Sequence, residues 1–248
     1  MAGKFEAVIS DLDGVLTRTA GLHARAWKQM FDEYFQRRQR EIGEEHRPFD
    51  IDEDYKQYVD GKPRFAGARA FLESRGIELA QGELDDSPAE ETVYGLGNRK
   101  NEFFHQILKE QKPEQYDDAV AQIKSWRDEG LKTALITSSR NGAAILRATG
   151  LEELFDVTID GVDSAKLSID GKPAPDIFLE AARQLHVEPQ KAVVLEDAIS
   201  GVEAGKAGRF GLVVGVNRGA RSDGAALRAH GADLVVSDVR DVDLDFSP

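Results

Sequence analysis

Two aspartates two residues apart, Asp11 and Asp13, stand where an apolar run ends: Phe5-Glu6-Ala7-Val8-Ile9-Ser10 leads straight into Asp11-Leu12-Asp13-Gly14. A buried strand with a period of two places both carboxylates on one side while the chain stays extended. Gly14 then lets the backbone turn away at once. Carboxylates this close repel each other unless a cation lies between them. A hard, oxygen-seeking Mg²⁺ suits such a pair and leaves one carboxylate oxygen able to attack a phosphate.

Three further polar groups follow in order, each at or near the end of an apolar run. Lys132-Thr133-Ala134-Leu135-Ile136 delivers Thr137-Ser138-Ser139-Arg140, whose hydroxyls and backbone N–H groups suit phosphoryl oxygens. Lys172 precedes Pro173-Ala174-Pro175-Asp176 and offers a positive charge against a developing anion. Ala192-Val193-Val194-Leu195 delivers Glu196-Asp197, which would complete a Mg²⁺ shell with Asp11. In this reading Asp11 is the nucleophile and Asp13 the general acid and base. Phosphoryl transfer demands mainly positioning and charge neutralisation, and these parts supply both.

The elements that must position these groups are legible in the hydrophobic pattern. Leu22, Ala26, Trp27, Met30, Phe31, Tyr34 and Phe35 recur at helical spacing, and Phe103, Phe104, Ile107 and Leu108 form a second stripe. Between them, 65–75 reads as a helix stopped by Gly76, and 60–64 as a turn. The acidic run Asp50–Asp54 reads as a solvated face, and 82–92 as a loop. Nothing from 20 to 110 resembles a strand. From 115 onward strands and helices alternate: strands at 132–136, 155–159, 192–195, 211–216 and 234–236, helices ending at Gly130, Gly150, Leu185 and Gly208. That alternation predicts an α/β fold with a doubly wound parallel sheet. The expected domains are a catalytic core, 1–19 with 111–248, and an inserted α-helical cap, 20–110.

Composition narrows the classes of function. The 248 residues carry 41% hydrophobic side chains, enough for a real core, and no cysteine, which excludes disulfides and thiolate chemistry. A formal charge of −13 repels nucleic acid and anionic membranes, so neither is expected as a partner. With no leader-like apolar segment after Met1 and no long apolar run, a cytoplasmic protein is expected, and a monomer. The acidity also means that a phosphate site would need a local island of positive charge.

Asp11-Leu-Asp-Gly-Val-Leu-Thr17, Thr137-Ser-Ser-Arg-Asn141, Lys172-Pro-Ala-Pro-Asp-Ile-Phe178 and Leu195-Glu-Asp197 resemble the four ordered motifs of the haloacid dehalogenase superfamily. Within it the chain resembles the beta-phosphoglucomutase group. The resemblance implies a Rossmann-like core with Mg²⁺ held by Asp11, the Asp13 carbonyl and Asp197, and Glu196 acting directly or through water. It implies Thr137 and Lys172 on the transferring phosphate, with Ser138, Arg140 and Asn141 beside them. From the cap it implies His23, Arg64 and Lys100 as contacts to a phosphorylated sugar, Arg64 as a bidentate fork on a second phosphate. Arg64, Lys100, Arg140 and Lys172 would then form the positive island. The implied reaction is isomerisation of beta-glucose 1-phosphate to glucose 6-phosphate through an aspartyl-phosphate. Two alternatives are a sugar-phosphate phosphatase on the same scaffold and a non-catalytic phosphosugar-binding protein. Leu167–Gly171 reads as an insertion, and Lys166 as a weaker rival to Lys172.

Overall fold

The structure, a computed structural model, describes residues 5–60, 62–219 and 224–244. The chain divides into two compact units, Met1–Arg18 with Pro113–Pro248, and Thr19–Lys112. In chain order the elements are β1 (Ala7–Asp11), α1 (Ala20–Ile42), α2 (Arg64–Ser74), α3 (Val93–Glu110), α4 (Asp117–Asp128), β2 (Lys132–Ile136), α5 (Gly142–Thr149), β3 (Val157–Ile159), α6 (Gly161–Leu167), α7 (Asp176–Leu185), β4 (Ala192–Glu196), α8 (Ile199–Ala207), β5 (Leu212–Val216), α9 (Gly224–Ala229) and β6 (Leu234–Val236).

The first unit is built on a parallel sheet ordered β3-β2-β1-β4-β5-β6. β1 is central, and every residue in it is buried. It pairs with β2 on one side, Asp11 opposite Ile136, and with β4 on the other, Ile9 opposite Val194. The chain winds outward from β1 to β3, then crosses back to lay β4 on β1's other edge. That reversal opens a crevice at the carboxyl ends of β1 and β4, where ligands bind in sheets of this kind. One face of the sheet carries Ala7, Ile9, Ala134, Ile136 and Val194, covered by Ile177, Phe178, Ala181 and Leu185 of α7 and Val202 of α8. Strands buried on both faces read as unbroken apolar runs, which is why β1, β2, β4 and β5 stand out in the sequence.

Two short helices were not anticipated. α6 lies within the stretch just before the expected insertion; Asp160 caps it, accepting from the N–H groups of Val162 and Asp163, and none of its residues is buried. α9 contributes only Leu227 to the core. α7 ends at Leu185, where the sequence pattern ends it.

The two places where the chain passes between units are tied to each other on the core side. Arg18 N–H donates to Glu114 O at 2.9 Å, Tyr116 N–H donates to Leu16 O at 2.9 Å, and Thr17 and Gln115 form an antiparallel bridge.

The second unit is helical. The expected stripe of α1 is buried, and Phe31 sits at the middle of a ring cluster, 4.2 Å from Phe71 and 5.3 Å from both Trp27 and Phe49. Thr92 ends the loop before α3 by accepting from Gly95 N–H. The acidic run departs from expectation. Asp54 is not solvated but 2% exposed, and its carboxylate takes Arg47 at 2.9 Å, Arg75 at 2.8 Å and the Asp50 N–H at 2.9 Å. A π-helical turn, Tyr55–Val59, follows it. Gly61, inside the expected turn, lies outside the described residues, as do residues 1–4. No helix among the described residues is long and apolar enough to cross a membrane.

Phe31→Ala should destabilise the helical unit by roughly 3–5 kcal/mol, the usual loss for a buried phenyl ring. A lower urea midpoint followed through Trp27 fluorescence checks this; an unchanged midpoint would remove Phe31 from the core.

Candidate active site

The alternation of β-strand side chains decides which groups meet. Asp11 continues the row of Ala7 and Ile9, and Glu196 continues the row of Ala192 and Val194, so both carboxylates face the layer of α7. Lys172, in the segment leading into α7, reaches both. Its Nζ donates to Asp11 Oδ1 at 2.6 Å and to Glu196 Oε1, and stands 5.4 Å from the Phe178 ring centre. The three groups are almost wholly shielded from solvent. Burial pulls the Lys172 ammonium down, but the Asp11 and Glu196 carboxylates outweigh it and hold the group above its ordinary value. Glu196 is pushed up by burial, with Lys172 opposing and Asp11 adding to the rise. Its Oε2 accepts from Ala198 N–H at 2.7 Å. Gly201 makes room for it, since a Cβ there would lie 1.9 Å from Glu196 Oε1.

Beyond Asp11 the chain folds tightly on itself. Leu12 O accepts from the N–H groups of Leu16 and Thr17 at 3.0 Å, and Gly14 N–H donates to Thr17 O at 2.8 Å. Gly14 has φ +95°, and a Cβ on it would sit 1.9 Å from Asp197 Oδ2. The loop therefore touches the end of β4 with backbone alone. Thr137 Oγ1 lies 3.5 Å from Asp13 Oδ2 and accepts from Ser139 N–H at 3.0 Å. Ser139 Oγ in turn accepts from Asn141 N–H at 3.2 Å, which shapes the entry to α5. Asn141 is buried there, while Ser138 and Arg140 are exposed.

The core end of the site thus unites Asp11, Asp13, Thr137, Lys172, Glu196 and Asp197. The Lys172 ammonium meets two of these carboxylates, Asp11 and Glu196, and with Asp13 and Asp197 the acids outnumber it at this end. Such a pocket favours a cation and repels a bare phosphate. Its donors are hard oxygens, the class that divalent Mg²⁺ takes, and Gly14 keeps the approach between the loop and Asp197 clear of side chains. Among the described residues no three His, Cys, Asp or Glu side chains form a ready-made metal cluster. The set that fits instead pairs Asp11 and Asp197 with a main-chain carbonyl, because Glu196 is occupied by Lys172 and Ala198.

The helical unit brings its own expected residues together. Lys100 is buried, with Nζ 2.8 Å from His23 Nδ1, and His23 stacks on Phe104 at 4.2 Å. Arg64 opens α2, its guanidinium 5.0 Å from the Phe65 ring. Gly97, one turn before Lys100 on α3, accepts Phe65 so closely that a Cβ would fall 2.5 Å from its ring. Lys166 is exposed and pairs within α6 to Asp163 at 3.5 Å.

One supporting residue carried no signal in the sequence. Arg218, just past β5, donates to Ser237 O at 2.7 Å and Asp118 Oδ2 at 2.9 Å, reaches Val15 O at 3.5 Å, and lies 4.2 Å over the Tyr116 ring. It secures the loop that follows Asp13. Nothing local distinguishes it from any other surface arginine.

The chain is similar to known proteins over most of its length. A family model for haloacid dehalogenase-like hydrolases matches residues 5–209. A beta-phosphoglucomutase of Mycobacterium bovis is 49% identical over 240 residues, 96% of this chain and 92% of the relative. A phosphorylated carbohydrates phosphatase of Thermotoga maritima is 34% identical over 233 residues, 93% of this chain and 94% of the relative. A crystal structure of beta-phosphoglucomutase from Clostridium difficile superposes with a TM-score of 0.72 at 23% identity, covering 97% of this chain and 94% of that one, and shares the fold. The sheet, the ordered polar strand ends and these matches together make the chain a member of the haloacid dehalogenase-like hydrolase family.

Proposed function

We propose that this enzyme is a beta-phosphoglucomutase-like phosphomutase, converting beta-glucose 1-phosphate to glucose 6-phosphate. The observation that carries the reading is the Lys172 ammonium 2.6 Å from Asp11 Oδ1, at the mouth of the central strand. An ammonium there neutralises both the attacking carboxylate and the phosphoryl oxygens that come to it.

Asp11 attacks phosphorus, forming an O–P bond as the bond to the leaving sugar oxygen breaks. Asp13 gives its proton to that oxygen and later takes one from the accepting hydroxyl, with Thr137 beside it. The cycle starts from the phosphorylated aspartate, primed by the trace of 1,6-bisphosphate: it passes its phosphoryl group to the 6-hydroxyl of beta-glucose 1-phosphate, giving the 1,6-bisphosphate, and Asp11 then takes the phosphoryl group from O1, which releases glucose 6-phosphate and restores the aspartyl-phosphate. Ser138, Arg140 and Asn141 line the phosphate's path, and His23, Arg64 and Lys100 hold the sugar phosphate from the helical cap. Asp11, the Asp13 carbonyl and Asp197 would hold Mg²⁺, with Glu196 behind them fixing Lys172. The cation supplies charge neutralisation of the phosphate.

The second reading, a sugar-phosphate phosphatase, draws on the phosphatase relative from Thermotoga maritima. The two separate in one assay: beta-glucose 1-phosphate, Mg²⁺ and a trace of beta-glucose 1,6-bisphosphate, with glucose 6-phosphate and free phosphate followed together. Glucose 6-phosphate is expected; free phosphate alone would sink the mutase.

Asp11→Asn should abolish turnover, and a surviving rate would remove Asp11 as nucleophile. Asp13→Asn should lower kcat by roughly 10²–10⁴-fold, the span of general acid–base contributions. Gly14→Ala should weaken Mg²⁺ binding in calorimetric titration by roughly 10–100-fold, the usual effect of disturbing the support of a metal ligand. Unaltered affinity would place the cation elsewhere.

A further inference from the structure

The buried carboxylate of Asp54 has no part in the chemistry described so far, yet it takes two guanidinium groups and a backbone N–H. Asp54 opens the π-helical turn Tyr55–Val59, and Arg75 caps the far end of α2. These two elements run back to back as a short hairpin. Its middle is closed by Gly67, where a Cβ would lie 3.3 Å from Val59 Cα, and by Tyr58, edge-on to Phe71 at 5.8 Å. Its open end is closed by the ion pair of Asp54 and Arg75 at 2.8 Å, with Arg75 also 4.6 Å over the Phe71 ring. The link at the closed end carries Arg64, the first residue of α2.

A π turn fits one more residue into its hydrogen-bonded ring than an α turn: Asp60 N–H donates to Tyr55 O at 2.8 Å. Such turns are poorly stable alone and need outside support. Any slip of the turn against α2 would disturb the start of α2, where Arg64 is the first residue. The 3% exposed Asp54 carboxylate resists that slip, because it cannot leave Arg75 and the Asp50 N–H without being stranded in the interior. Arg47 adds a second guanidinium from the surface at 2.9 Å.

We propose that Asp54 and Arg75 are positioning residues for substrate recognition: their ion pair sets the register of the hairpin whose link presents Arg64 to the sugar phosphate. This rests on the reading of Arg64 as a phosphate contact. The role is remote and acts on binding, so its signature is a change in KM with kcat kept.

The test measures kcat and KM for beta-glucose 1-phosphate, with Mg²⁺ and a trace of the 1,6-bisphosphate, in Arg64→Ala, Asp54→Asn, Arg75→Gln, Arg75→Lys and the double variant Asp54→Asn with Arg64→Ala. Arg64→Ala should raise KM by about tenfold, as expected for one charged hydrogen-bonding partner. Asp54→Asn and Arg75→Gln should each raise KM by about three- to tenfold with kcat within about twofold, and the double variant should add little to Arg64→Ala, since coupled residues are not additive. Arg75→Lys should restore most of the loss. If Asp54→Asn does not fold, Arg75→Gln and its lysine rescue make the same comparison. An elevated KM in Arg64→Ala with normal KM in the Asp54 and Arg75 variants overturns this proposal alone. A normal KM in Arg64→Ala overturns the reading of Arg64 and this proposal with it. A loss of kcat without a change of KM assigns the pair to folding and overturns it as well.

Discussion

Everything at the carboxyl end of the sheet depends on one buried ammonium shared by two buried carboxylates. Lys172 stands between Asp11 and Glu196, with little water near. Burial pushes the Glu196 carboxyl up, and the lysine beside it opposes that rise. With the lysine present, the cluster keeps an excess negative charge that faces the crevice. The sheet supplies the alignment: the same two-residue period that packs Ala7 and Ile9 against α7 carries Asp11 onward into the lysine. Packing and chemistry are therefore set by one register. A slip of β1 by one residue would turn Asp11 to the opposite face and empty the site.

Much of this was legible in the chain itself. β1, β2 and β4 announce themselves because strands covered on both faces are mostly apolar, and each run leads into the polar residues expected at the site. The helical stripe from Leu22 to Phe35 was equally plain. What escaped notice shares a physical cause. α6 buries nothing, and α9 buries only Leu227, so neither leaves a periodic mark. The acidic string 50–54 looks like any solvated face until Arg75, distant in sequence, folds over Asp54. The sequence named Lys172 and Glu196 as parts of the site, but it could not reveal that Glu196 spends its oxygens on Lys172 and the Ala198 N–H. Burial of charge is a tertiary property and has no local signature.

The two units handle charge differently. In the core, cationic side chains are scarce at the crevice and the carboxylates dominate. In the helical unit, Lys100 is buried among Trp27, Phe104 and His23, where its ammonium lies 5.2 and 5.0 Å from the two aromatic rings.

The tie between Thr17 and Gln115 has a consequence for how freely the rest of the chain can change. Because the strand leaving the core and the strand returning to it are bonded side by side, the core meets the whole segment Thr19–Lys112 as a closed loop. The entropy of closing a loop grows only with the logarithm of its length, about 0.6 kcal/mol for each doubling. The helical unit can therefore lengthen, shorten or be remodelled with little thermodynamic effect on the sheet. The sheet is thereby insulated from change in the helical unit, so the two can diverge at different rates.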